Sequence, residues 1–188
     1  MRFGMLERLQ LLTRVYMINI FLDTEFSHLQ LPLNPEPPVL ISIGCISESG
    51  KTFYAENANR QPVLFSDFVI KTVLPLLQGG EFLMPYVHIA QKLKAWIESF
   101  NDECKMWSDS PYHDWQFVKH MFDCHGWPVN LKREPVLLKF PSSIQQTRFE
   151  SAVENAFRTF EPKLRRHHAL DDAIANRFGF ECATTREY

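Results

Sequence analysis

A chain of 188 residues with 45% apolar side chains can bury one sizeable core, and residues 17–188 read as a single domain. A formal net charge of −2 gives no overall basic footprint, which argues against a transcription factor or a coat protein for duplex nucleic acid. Cys45, Cys104, Cys124 and Cys182 show no CxxC spacing and no dense disulfide framework, so a reduced, cytoplasmic protein is the simplest reading.

Residues 1–16 mix Leu6, Leu9, Leu11 and Leu12 with Arg2, Arg8 and Arg14. The apolar runs are too broken for a secretory segment or a membrane span. The stretch reads as an N-terminal extension, either an extra helix or a segment upstream of the native start, because Met17 stands immediately before the first strand. Ile18 to Leu22 form an apolar run that predicts a buried strand closing in Asp23-Thr24-Glu25-Phe26. Val39 to Ile46 and Thr52 to Glu56 predict a hairpin about Glu48-Ser49-Gly50, beside that first strand. Helical periodicity follows over 63–77 and again over 85–100, where Val87, Ala90, Leu93, Ile97 and Phe100 recur at three- and four-residue steps, with Gly79-Gly80 between the two.

Cys104 to Ser108 predict a short strand, Asp109-Ser110-Pro111 a turn, and 114–124 a helix opened by Asp114. One more strand is expected over Pro135 to Phe140. A helix from Ser143 to Phe160 follows, with Ser143 and Gln146 at capping-box spacing. The last element is a short helical pattern after Asp171 that ends at Phe178-Gly179, with Gly179 as its C-cap.

Three places carry candidate chemistry. Asp23 and Glu25 are two apart on a strand and therefore share a face. Their oxygens are hard ligands suited to Mg²⁺ or Mn²⁺, although a helix N-cap with a first-turn acid is the plainer use of such a pair. The second place is Arg165-Arg166-His167-His168-Ala169-Leu170-Asp171-Asp172. Within a continuous helix, four-residue spacing favours His167 with Asp171 or His168 with Asp172; without the acids of the first strand, a solvated histidine pair beside an N-terminal acid cluster is the default. The third place is a middle acid, for which Asp102, Asp109, Asp114 and Asp123 all compete. His120, Cys124 and His125 suggest zinc, but a tetrahedral set lacks its fourth partner.

Taken together and in order, Asp23-Thr24-Glu25-Phe26, Asp114 and His167-x-Ala169-x-x-Asp172-Ala173 resemble the three motifs of the DnaQ-like, or DEDDh, 3′-to-5′ exonucleases. The resemblance covers most of the chain from residue 17 and implies an α/β, ribonuclease H-like fold. In that fold a central mixed sheet, antiparallel in its first three strands and parallel thereafter, is flanked by helices. It implies Asp23, Glu25, Asp114 and Asp172 as ligands of two Mg²⁺ or Mn²⁺ ions and His167 as the general base, with Asp109 the runner-up for the middle acid. The five-residue offset from His167 to Asp172 works if His167 stands in the loop before the helix and Asp172 within it.

Leu40-Ile41-Ser42-Ile43-Gly44 and Val73-Leu74-Pro75 resemble a smaller branch of exoribonucleases from bacteria and their phages, which tilts the expected substrate towards RNA. The implied partner is single-stranded nucleic acid with a free 3′ end, and the implied assembly is a homodimer. Phe26 is a candidate to stack on the terminal base, with core packing equally expected of it, and Arg165 and Arg166 are candidates to hold phosphate. Two alternatives stay open: a ribonuclease H-like endonuclease, which needs the acids but not the histidine, and a nucleic-acid-binding module without turnover.

Overall fold

The computed structural model describes residues 16–29, 36–60 and 65–185. The expected N-terminal extension lies almost wholly outside these residues. The first strand, β1 (Met17–Phe26), pairs antiparallel with β2 (Leu40–Ser47), which pairs antiparallel with β3 (Thr52–Asn57). β5 (Glu103–Ser108) lies parallel on the other side of β1, and two-residue strands close both edges, β4 (Leu83–Met84) on β3 and β6 (Val136–Leu137) on β5. The six-stranded order is β4-β3-β2-β1-β5-β6. This antiparallel start followed by parallel strands is the ribonuclease H-like arrangement expected.

Alternation along β1 feeds two cores. Ile20 and Leu22 face one side, where they pack with α1 (Tyr86–Glu98) and α2 (Pro111–His125), whereas Phe21 faces the other, with α3 (Ser143–Thr159) and α4 (Ala169–Thr184). Of the stripe read over 85–100, Ala90, Leu93, Ile97 and Phe100 are buried and Val87 is half-buried, while Ile89, which the stripe omits, is buried as well. Each fully buried Leu or Ile contributes roughly 1.5–3 kcal/mol.

Several elements depart from expectation. Of the segment 63–77, the described residues from 65 onward are not a regular α-helix, for Val69–Val73 is a π-helical turn and Leu74–Leu76 a 3₁₀ turn. Pro75 within that turn has no N–H to continue an α-helical ladder. α2 starts at Pro111, a residue suited to the first helical position, so Asp114 sits inside the first turn and does not open the helix. The strand expected over 135–140 shrinks to β6. At the start of α3 the capping box does not form: Ser142 is the cap residue, and the Gln146 side chain instead accepts a hydrogen bond from Phe140 N at 3.0 Å.

The correction at Gly179 is the largest. α4 does not end there but runs five residues further, to Thr184. A Cβ at Gly179 would lie 2.7 Å from Val153 Cγ2 and 2.8 Å from Phe149 Cδ2, so this glycine lets α3 and α4 approach closely. Among the described residues, no helix is long and apolar enough to cross a membrane.

Candidate active site

The carboxyl ends of the parallel pair β1 and β5 open into a cleft of about 740 Å³, lined by Asp23, Glu25, Asp109, Asp114, His167 and Asp172 among others. In open α/β sheets ligands gather at such strand ends. Asp23 and Glu25 come from β1 itself, two residues apart on one face, and not from a turn or a helix cap. Across the antiparallel pair, Asp23 stands opposite Gly44 and Glu25 opposite Ser42.

Gly44 admits the third acid. A Cβ there would fall 2.2 Å from the backbone N of Leu170 and 2.3 Å from the carbonyl carbon of Ala169. Only a glycine lets the first turn of α4 lie directly on β2, and that contact brings Asp172 beside Asp23 and Glu25. One oxygen each from Glu25 and Asp172 and a ring nitrogen of His167 lie within 4.8 Å of one another.

Asp114 arrives from the opposite face of the sheet. It is 2% exposed and tied down three times: Thr24 N donates to Oδ1 at 3.2 Å, Thr24 Oγ1 donates to the same oxygen at 2.7 Å, and Ser108 Oγ donates to Oδ2. Its carboxylate forms a second group with Asp23 and Asp109, again within 4.8 Å. The two strongest candidates for the middle acid are thus both at the cleft, Asp114 buried and hydrogen-bonded, Asp109 exposed and bonded to the buried Asn176 of α4.

Packing these acids together is costly for their charged forms. Burial, then the charges of Asp114, Asp172 and Glu25, pushes Asp23 well above the carboxylate range. Burial, then Asp172 and Asp114, pushes Glu25 up to about 8. Asp114 rises to about 7 through burial, against the opposing hydrogen bonds from Ser108 and Thr24, and Asp172 to about 7 through burial, against the bond from His167 N. Hard oxygen donors that repel one another in a half-buried cleft fit divalent cations, whose charge cancels the repulsion.

His167 precedes α4 and stands in the left-handed region, with φ 65°. Its N–H donates to Asp172 Oδ2 at 2.8 Å, which realises the five-residue offset as a loop-to-helix contact. The ring meets the edge of Phe68 at 4.9 Å between centroids. Burial, followed by the Arg166 guanidinium, lowers its pKa below the usual histidine value, which favours the neutral ring.

The remaining candidates divide. Phe26 lines the cleft and also packs on the core, with its ring 5.7 Å from both His113 and Phe117. Arg166 lines the cleft, paired with Glu154 at 2.6 Å and lying over the Phe157 ring. Arg165 turns towards Asp171, to which Nε donates at 2.8 Å. His168 is not solvated but 1% exposed. Sequence reasoning assigned no part to Thr24, Ser108, Phe68, Asn176 or Gly44. Asn176 carried a usable signal, four residues after Asp172 on one helical face; Ser108 bears on the site through a contact six residues away, and Thr24, Phe68 and Gly44 through contacts distant in the chain.

No protein-family model matches the chain, and no curated protein matches it in sequence. Solved structures do match. The nuclease domain of 3′hExo, a DEDDh family member bound to rAMP, superposes at a TM-score of 0.50 with 15% identity over 90% of this chain and 96% of that one. A 3′-exonuclease that recognises the histone mRNA stem-loop gives 0.52 with 14% identity, covering 88% of this chain and 63% of that one. Product-bound exonuclease I gives 0.53 with 11% identity, covering 90% of this chain and 44% of its own length. The chain thus spans less than two thirds of the last two proteins, and at these identities the likeness establishes the fold.

Proposed function

We propose that the chain is a metal-dependent 3′-to-5′ exonuclease that hydrolyses the terminal phosphodiester of single-stranded nucleic acid, RNA favoured. The observation that carries this reading is the convergence of Asp23, Glu25, Asp114 and Asp172, from β1, α2 and α4, on one cleft beside the imidazole of His167. A scaffold acquires such mutually repelling acids at a cost in stability, which a purely structural role does not explain.

Asp23, Glu25, Asp114 and Asp172 would hold two divalent cations, Mg²⁺ or Mn²⁺, with Asp109 at the rim. When bound, such cations supply the positive charge that stabilises the attacking and leaving oxygens of a phosphodiester displacement. His167 acts as the general base through its cleft-facing ring nitrogen, and its depressed pKa keeps it ready to accept a proton near pH 7. Phe26 and Phe68 offer aromatic surface to the terminal nucleotide, and Arg166 offers the cation nearest the cleft for phosphate. Preference for RNA draws on the strings Leu40 to Gly44 and Val73 to Pro75, and on the structural neighbours bound to rAMP or recognising an mRNA.

The test is a time course on 5′-labelled and 3′-labelled single-stranded RNA and DNA, with Mg²⁺, Mn²⁺ or chelator, beside a circularised RNA. Stepwise shortening from the 3′ end, dependent on cation and sparing the circle, is expected. Cutting of the circle transfers the protein to the endonucleases, and binding without turnover makes it a binding module.

A further inference from the structure

We infer that His168, held by Gln78, is a positioning residue that fixes the backbone of His167; the inference rests on the reading of His167 as general base. A non-glycine residue in the left-handed region costs of order 1–3 kcal/mol and persists only where its surroundings over-determine it. His167 has φ 65°, and Arg165 before it and His168 after it are pinned.

On the following side, the His168 ring is 1% exposed and stacked on Tyr54 at 4.5 Å. Its Nε2 lies 3.0 Å from the Gln78 side-chain amide and its Nδ1 3.3 Å from Asp171 Oδ1. On the preceding side, Arg165 donates to Asp171 Oδ2 from its backbone N at 2.9 Å and from Nε at 2.8 Å.

Two of the three partners of the His168 ring, Tyr54 and Gln78, are tied in turn to one buried carboxylate. Glu56 is 0% exposed and accepts from the Tyr54 hydroxyl at 3.0 Å and from Gln78 N at 2.6 Å. Glu56, Tyr54, Gln78 and His168 stand outside the lining of the cleft. Their effect on chemistry therefore passes through the backbone they hold. With that backbone fixed, the imidazole keeps only its side-chain rotations and stays within reach of Glu25 and Asp172. A general base gains most from this restraint, because its geometry is set before substrate arrives.

The test uses His168→Phe, which keeps the ring on Tyr54 but removes both nitrogens, and Gln78→Leu, which removes the same contact from an exposed residue. The expected result for His168→Phe is a fall in kcat of about 10- to 100-fold, with KM and the Mn²⁺-induced rise in Tm unchanged because none of the four acids is replaced and the first turn of α4 stays seated on β2 at Gly44. Gln78→Leu should move kcat in the same direction by less, and it decides the matter if His168→Phe does not fold. In a His167→Ala background, His168→Phe should lower kcat no further, since residues acting as a unit are not additive.

Wild-type kcat in the folded variants overturns the inference while leaving the base reading intact. A loss of the Mn²⁺-induced Tm rise together with kcat also overturns it, because the acid cluster itself would then have moved. Full activity in His167→Ala overturns the base reading, and the inference with it.

Discussion

Replacing Gly44 with alanine should damage stability and catalysis together, for one steric reason. The added Cβ would stand 2.2 Å from Leu170 N and 2.3 Å from the Ala169 carbonyl carbon. Nonbonded heavy atoms settle near 3.5 Å, so the first turn of α4 must retreat from β2 by about 1 Å. Both surfaces are backbone, and no side chain can rotate to relieve the contact. Overpacking typically costs 1–3 kcal/mol, and a conflict of this kind belongs at the upper end, about 3 kcal/mol. For a chain of this size that lowers Tm by roughly 6–12 °C. The same retreat withdraws Asp172 and His167 from Asp23 and Glu25, and a misplacement of about 1 Å can cost on the order of 100-fold in rate. Thermal unfolding by circular dichroism gives the first number. Mg²⁺-dependent shortening of 5′-labelled single-stranded RNA, measured well below the variant's Tm, gives the second. A Gly44→Ala protein with wild-type Tm and wild-type rate would refute the claim that this glycine seats α4 against the sheet.

The acids should trade stability for activity. Asp23→Asn is expected to abolish cation-dependent turnover and yet raise Tm in chelator at alkaline pH, because the amide cannot ionise beside Asp114, Asp172 and Glu25 whereas the buried carboxyl is forced to; a Tm that falls there counts against the repulsion. In chelator the wild type should lose stability from pH 6 to pH 8.5. Glu25 at about 8 and Asp114 and Asp172 at about 7 bind protons more tightly folded than unfolded, so their contribution is complete below the ordinary carboxyl range and is lost as pH rises through 7 to 8. The loss should be on the order of a few kcal/mol and be restored by Mn²⁺ at pH 8.5, and a flat chelator profile would rule it out. His167→Asn should lower kcat by roughly 10²- to 10⁴-fold. The wild-type rate should rise with pH through a value below 6.5, the depressed pKa of the imidazole, and a variant retaining that limb would dissociate it from His167.

What the sequence determined by itself was local. Ile18 to Glu25 declare a strand whose two carboxylates share a face, because period two is a property of extended backbone, and β1 has that form. The stripe Ala90, Leu93 and Ile97 declares the buried face of α1 in the same way. Motif order pointed to the fold, and the acids it singled out on β1 and α4 stand at one cleft. The tertiary structure decided everything that depends on how closely two elements approach. Asp109 and Asp114 compete in one dimension, and only the cleft holds them both, one exposed and one clamped by Thr24 and Ser108. Gly179 reads as a helix end but is an α3–α4 contact, and His168, which four-residue spacing pairs with Asp172, is instead buried on Tyr54. Periodicity is written by the geometry of neighbouring peptide units, whereas close approach is a balance of packing between residues far apart in the chain.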